Sequence, residues 1–187
     1  GKVSFSGDSL ESNLEAEPVS EVINAESGED FSAKILRDDS FAIGDLYGNY
    51  GYAFANVVPD TVIKKASKEV DVNYAVSKGR SVNINKVKIS GNSKTYDNVI
   101  RRELRVDEGE LYSGKKLRRT QEILQRRGYF DEVSVGTESV SEDKVDVNVN
   151  VKEGQTGTFS AGAGYSTADG LLFNARVSEN NIFGTGR

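Results

Sequence analysis

The sequence predicts an α+β chain of 187 residues. It has two tandem copies of one small module, each ordered strand-helix-helix-strand-strand, followed by a β-hairpin of different character. Three observations carry this. Four short blocks recur in the same order within residues 1–155. Within each copy the apolar residues change from a period of two to a helical period and back. After Gly154 charge almost vanishes and glycine becomes frequent: residues 156–187 hold 6 of the 19 glycines.

The repeat is direct. Val3-Ser4-Phe5-Ser6-Gly7-Asp8 resembles Val87-Lys88-Ile89-Ser90-Gly91-Asn92, and Glu26-Ser27-Gly28-Glu29-Asp30-Phe31-Ser32 resembles Asp107-Glu108-Gly109-Glu110-Leu111-Tyr112-Ser113. Gly51-Tyr52 resembles Gly128-Tyr129, and Val70–Val76 resembles Val145–Val151. The offsets are 84, 81, 77 and 75. Ser32 to Gly51 spans 19 positions where Ser113 to Gly128 spans 15, so a helix about one turn longer is expected in the first copy. The repeat divides the chain at 1–79, 80–155 and 156–187.

The second copy shows the elements in order. Val87 and Ile89 alternate with Lys86 and Lys88, while Val82 and Ile84 alternate in the opposite phase, which predicts a first strand that bends near Asn85. Ser90-Gly91-Asn92 is turn chemistry. Tyr96, Val99, Ile100 and Leu104 share one face of a short helix, which Asp107-Glu108-Gly109 ends. Ser113 is the expected N-cap of a second helix running to Arg127, with Leu117, Ile123 and Leu124 inward and Gly128 left-handed at its end. Val133 and Val135, then Val145, Val147, Val149 and Val151, alternate with polar residues, which is the pattern of a sheet wet on one side. A module of this size buries only about 60% of its surface, so contact with a neighbour is expected.

In the last segment Phe159, Ala161, Ala163 and Tyr165 alternate with residues that are glycine or polar. So do Leu171, Phe173, Ala175 and Val177, apart from Leu172 in the opposite phase. A three-residue loop at Ala168-Asp169-Gly170, with Gly170 left-handed, sets Tyr165 opposite Phe173 and makes one face wholly apolar. Strands of about nine residues with this alternation fit either a transmembrane barrel strand or a soluble hairpin packed on the modules.

Composition removes most catalytic classes. With no His and no Cys there is no Ser-His-Asp triad, no cysteine nucleophile and no usual zinc site, so neither an enzyme nor a metal protein is expected. Gly162-Ala163-Gly164 is a fragment of a nucleotide loop without the following Lys-Ser/Thr, so no cofactor is expected. Asp38-Asp39 is a carboxylate pair that nothing in the sequence places in a pocket. No apolar run reaches the 18 residues of a membrane helix. The start at Gly1 and the absence of Met predict a mature or excised piece. Residues 1–79 carry 7 Lys/Arg against 14 Asp/Glu, and residues 80–155 carry 15 against 13; neither is the basic excess of a nucleic-acid binder.

The repeated module resembles the POTRA (polypeptide-transport-associated) domain. The carrying residues are Val87–Asn92, Arg101-Arg102-Glu103-Leu104-Arg105, Gly109-Glu110-Leu111-Tyr112, Gly128-Tyr129-Phe130 and Val145–Glu153. Gly157–Tyr165 with Asn180-Asn181-Ile182-Phe183-Gly184-Thr185-Gly186 resembles the start of the membrane barrel in outer-membrane assembly factors. Ser9–Pro18 is longer and more acidic than that pattern. The resemblance implies a mixed three-stranded sheet under two helices in each copy. It also implies the last two modules of a periplasmic arm, the fourth and fifth, plus the first hairpin of a barrel that contacts outer-membrane lipid. The place would be the periplasmic face of the bacterial outer membrane, with the more basic module nearest its anionic lipids.

The implied activity is assisting outer-membrane proteins to fold and insert, with unfolded clients captured by β-augmentation. The expected client edges are Ala55, Asn56, Val57 and Val58 in the first copy and Val133, Ser134, Val135, Gly136 and Thr137 in the second, blunted at most by Asp131 and Glu132. Arg101, Arg102, Glu103 and Arg105 form the expected docking face for an accessory lipoprotein, with Glu103 as the ion-pair partner. The basic clusters Lys115–Arg119 and Arg126-Arg127 would meet lipid headgroups or the acidic groups of a lipoprotein, or stay solvated, and Gly79-Arg80 is the expected hinge. The bare hairpin is expected to pack on, or pair with, another chain in a crystal. The alternatives are the arm of a two-partner secretion transporter and a structural spacer for a barrel.

Overall fold

The computed structural model describes residues 1–10, 18–155, 157–166, 170–179 and 181–186. The order is β1 (Val3–Gly7), α1 (Val19–Val22), α2 (Ala33–Gly48), β2 (Asn56–Lys64), β3 (Glu69–Ser77), β4 (Asn83–Ser90), α3 (Asp97–Arg101), α4 (Gly114–Arg126), β5 (Phe130–Ser141), β6 (Lys144–Glu153), β7 (Gly157–Ser166) and β8 (Gly170–Glu179), then a 3₁₀ turn at Ile182–Gly184. The expected strand-helix-helix-strand-strand order thus appears twice, followed by a hairpin. The chain forms two compact units. The first gathers Gly1–Asn85, Glu108–Lys116 and Ser139–Val145; the second gathers Lys86–Asp107, Leu117–Glu138 and Asp146–Arg187.

In the first unit the strand order is β1-β3-β2. β1 runs parallel to β3 (Val3 opposite Val72) and β2 antiparallel to it (Asn56 opposite Ser77), which is the mixed sheet expected. Val72, Tyr74 and Val76 alternate inward from β3 and meet Ile43, Tyr47 and Tyr52. α2 supplies its part because Asp39, Ile43, Leu46 and Tyr47 fall on one helical face. Ser32 caps α2 through its hydroxyl, which accepts from the Ile35 N–H at 3.4 Å. α2 has 16 residues and α4 has 13, so the first-copy helix is longer by nearly one turn. Of the acidic stretch Ser9–Pro18, residues 11–17 lie outside the described residues.

Asp39 is fully buried. Its carboxylate accepts from the Asn24 and Ala25 N–H groups at 2.7 and 2.9 Å, from Asn24 Nδ2 at 3.2 Å and from the Tyr74 hydroxyl at 3.0 Å. Burial, then the bond to Asp39, push the Tyr74 phenol far above its ordinary value. Asp39 is therefore a structural clamp between α2, β3 and the Asn24-Ala25 segment.

Gly7 ends the first strand of the first copy and Gly91 follows that of the second, at φ +93° and +88°. A Cβ at Gly7 would strike the Val76 carbonyl oxygen, and one at Gly91 the Val151 carbonyl oxygen. The chain leaves its first strand in direct contact with its third, and only glycine allows that.

The second sheet has the order β4-β6-β5. Val145, Val147, Val149 and Val151 of β6 are all buried. The buried positions of the first strand change parity between Ile84 and Val87, which matches the bend expected at Asn85. Two helix expectations are corrected. α3 covers only Asp97–Arg101, with Tyr96 exposed before it and Leu104 only half-buried after it. The backbone tightens there: the Glu103 and Leu104 N–H groups bond the Ile100 and Arg101 carbonyls at i→i−3 spacing, so Val106 turns inward instead. In α4 the fully inward positions are Leu117, Thr120 and Leu124, and Ile123 is only half-buried. Thr120 tolerates burial because its hydroxyl accepts from the Arg105 N–H at 2.9 Å. Gly128 is left-handed, as expected (φ +73°).

β7 and β8 pair antiparallel with Ser166 opposite Gly170, Tyr165 opposite Leu171 and Ala163 opposite Phe173. The register therefore differs from expectation by two residues, and Gly170 opens β8 rather than closing the loop; Ala168 and Asp169 lie outside the described residues. A shift of two keeps every side chain on its own face, so one face remains Phe159, Ala161, Ala163, Tyr165, Leu171, Phe173, Ala175 and Val177. That face is exposed: Phe159, Phe173 and Val177 each retain 72–76% of their accessible surface. Among the described residues no helix is long and apolar enough to cross a membrane, which says nothing of strands.

Candidate functional site

β2 is an outer strand of its sheet. Pro59 in its middle has no N–H, which an edge accommodates and a central strand does not. Ala55 leads into the strand, with its N–H bonded to the Tyr52 carbonyl at 3.1 Å. Asn56 and Val58 are exposed and Val57 packs against the core cluster. Beside this edge lies an open groove of about 570 Å³, lined by Phe41, Gly44, Ala55, Val57 and Pro59 among others. Phe41 is largely exposed on α2. The groove and the strand together offer unpaired backbone and apolar cover to an extended segment.

β5 is also an outer strand. Val133 is buried, Val135 half-buried, and Ser134, Gly136 and Thr137 are exposed. The Val133 carbonyl is occupied: Gln121 Nε2 donates to it at 3.1 Å and Gln125 Nε2 at 3.5 Å. Glu132 is paired with Lys152 at 3.1 Å. Two α4 glutamines that the sequence pattern does not single out thus already occupy the Val133 carbonyl. Their i, i+4 spacing on the helix before the strand was the available signal.

The run from Arg101 to Arg105 is not one helix face, because α3 stops at Arg101. Arg101 bonds Asp97 at 3.1 Å and the Val87 carbonyl at 3.2 Å. Glu103 is not a free carboxylate awaiting a partner. Its side chain is 11% exposed and accepts from Arg127 at 2.6 Å, with Arg102 at 3.5 Å. The bond to Glu103 raises the pKa of Arg127. The surface offered here is cationic: the outer faces of Arg101, Arg102 and Arg105, all exposed. Gly79 takes a left-handed conformation (φ +68°), and Arg80 pairs with Glu142 at 2.7 Å, both side chains exposed.

The turn after β8 is held within the second unit by the Ser93–Tyr96 loop and its neighbours. Asn181 Nδ2 donates to Thr95 Oγ1 at 2.9 Å, and Asn181 Oδ1 accepts from the Gly186 N–H at 2.8 Å. The Gly184 carbonyl accepts from the Tyr96 N–H at 3.1 Å. The Gly186 carbonyl accepts from the Tyr129 hydroxyl at 3.0 Å and from Arg102 at 3.3 Å. The same Ser93–Thr95 loop holds Glu153, the last residue of β6: Ser93 Oγ donates at 2.7 Å, the Lys94 N–H at 2.9 Å and the Thr95 N–H at 2.6 Å. Burial works against ionisation of Glu153, but these donors outweigh it and hold the carboxyl at about 2.

The POTRA family model, described as "Surface antigen variable number repeat", matches residues 1–79 and again 82–154. The chain belongs to the POTRA family. The POTRA copies are similar to named relatives along their whole length. The chain is 36% identical to outer membrane protein assembly factor BamA of Nitratidesulfovibrio vulgaris and 33% identical to that of Neisseria meningitidis serogroup B, with all of this chain covered in both. It spans 24% of the length of each of these relatives. In three dimensions it superposes on the crystal structure of BamA from Haemophilus ducreyi lacking POTRA domains 1–3, with a TM-score of 0.80 and 27% identity. That match covers all of this chain and 35% of the other.

Proposed function

We propose that the chain is part of the periplasmic arm of an outer-membrane protein assembly factor. Its place is the periplasmic side of the outer membrane. It works as a binding module, not an enzyme. Residues 1–79 and 80–155 are the penultimate and last POTRA modules, and 156–187 the first hairpin of the barrel. The similarity over all of this chain to BamA, and to a BamA lacking POTRA domains 1–3, supports this division.

Unfolded outer-membrane proteins bind by adding a strand to an open edge. The observation that carries this is the outer strand β2, whose Val57 lines the groove that Phe41 also lines. Backbone pairing carries no side-chain code, which suits many clients. The Arg101-Arg102-Arg105 surface receives an acidic accessory lipoprotein, and Glu103 shapes that surface by holding Arg102 and Arg127.

Photocrosslinking in the whole assembly machinery tests both parts. A crosslinker at Val57 is expected to capture nascent barrel clients strongly and one at Val135 weakly, while one at Arg105 captures a lipoprotein. Absence of client capture at both Val57 and Val135 would leave a structural spacer as the better reading.

A further inference from the structure

Phe183 is 89% exposed, the highest value among the large apolar side chains described. Its backbone is also strained: it adopts φ +54°, one of two non-glycine residues with positive φ among those described. Strain at an exposed aromatic persists only when its surroundings impose it. Here they do. On one side Asn181 is tied to Thr95; on the other Gly184 is bonded to Tyr96, and Gly186 to Tyr129 and Arg102. Gly184 lies so close to the Lys94 carbonyl that no side chain fits there. The anchored turn pushes Phe183 outward, with Ile182 beside it 47% exposed.

The tip carries hydrocarbon only. The Asn181 side chain is tied inward to Thr95 and the Gly186 N–H, and the Thr185 hydroxyl donates to the Ile182 carbonyl at 2.7 Å. The exposed side chains left at the tip among the described residues, Ile182 and Phe183, are hydrocarbon, which suits an apolar medium better than a polar protein surface. Its position completes the argument. Glu179 pairs with Gly157 at the root of the hairpin and also accepts from the Asn181 N–H at 3.1 Å. The turn thus sits where the chain enters and leaves the two strands. If the hairpin is a membrane element, as read under the proposed function, its ten-residue strands match the hydrocarbon thickness, and residues just past the root lie at headgroup level. Aromatic side chains concentrate at that level in membrane barrels.

We propose that Ile182 and Phe183 form a wedge that enters the headgroup–acyl boundary of the periplasmic leaflet. The chain has no Cys, so a spin label at a single introduced Cys reports one site here. The test uses the full-length protein, freed of any cysteine outside this chain, reconstituted in vesicles of phosphatidylethanolamine and phosphatidylglycerol. Labels are placed at Phe183→Cys, Ile182→Cys, Phe173→Cys and Phe54→Cys. Position 173 is expected to be oxygen-accessible and shielded from a water-soluble nickel chelate, 183 and 182 to be intermediate, and 54 water-like. Adding Phe183→Asn, which keeps the left-handed backbone and removes the hydrocarbon, is expected to shift the label at 182 to water-like values. A lipid-like 173 with a water-like 183 and 182 overturns the wedge and leaves the hairpin reading intact. A water-like 173 overturns both readings. A label at 183 that is immobilised and shielded from both reagents assigns the tip to a protein contact instead.

Discussion

Glu153 joins the end of a strand to the loop before α3 through one carboxylate and three donors, the Ser93 hydroxyl and the Lys94 and Thr95 N–H groups. Its folded carboxyl titrates at about 2, against 4.5 when free, so folding favours the ionised form. That stabilisation is complete above pH 4.5 and is lost as pH falls towards 2. Urea unfolding repeated across this range is expected to show stability dropping between those values, with Glu153→Gln flattening this part of the drop. An unchanged acid profile in the variant would mean that other carboxylates carry the effect. Asp39 teaches a different lesson at the same scale. In the sequence it is half of an Asp-Asp pair with no assigned role. Three partners from two distant segments, Asn24, Ala25 and Tyr74, make it structural. No local pattern announces such long-range partners.

Among the elements, β2 and β5 are both outer strands, yet they differ in what covers them. The two α4 glutamines bond the Val133 carbonyl, so strand addition at β5 must first displace them. Replacing Gln121 and Gln125 by Ala is expected to cost about 1 kcal/mol of stability. It should also raise client crosslinking at Val135 towards the level at Val57, read as the ratio of the two adducts. Equal adducts in the unmodified protein would refute the difference between the edges. Alternation and the repeat located the two strands and the family resemblance marked them as edges, whereas the cap was not legible, because it depends on how α4 lies against β5. The hairpin shows the same division. Alternation between Phe159 and Val177 fixed which side chains share a face, but a two-residue slip preserves faces, so pattern could not choose the register. α3 was overextended because i→i−3 tightening after Arg101 leaves no mark on apolar spacing.

For the molecule as a whole, the repeat was the most informative property of the sequence. Its glycine pairs Gly7 and Gly91, Gly28 and Gly109, and Gly51 and Gly128 all have positive φ, so both copies reuse the same backbone solutions. Beyond the repeat, the hairpin exposes a contiguous apolar face, the kind of patch that marks an interaction surface. The 187-residue chain is therefore expected to self-associate in analytical ultracentrifugation, and a version ending at Gln155 to sediment as a monomer. A monomeric 187-residue chain would show that the face tolerates water. The loop Ser93–Tyr96 gives the hairpin a second mechanical support. It grips Glu153 ahead of the hairpin and Asn181 and Gly184 behind it, so both legs are pinned to one short stretch of backbone. A hairpin held by one leg can swivel about its linker; one held by both resists rotation and passes torque to its mount. Twisting of the strands would then load the Ser93–Tyr96 peptide groups first, and α3, which starts at the next residue, would be the first helix to feel it.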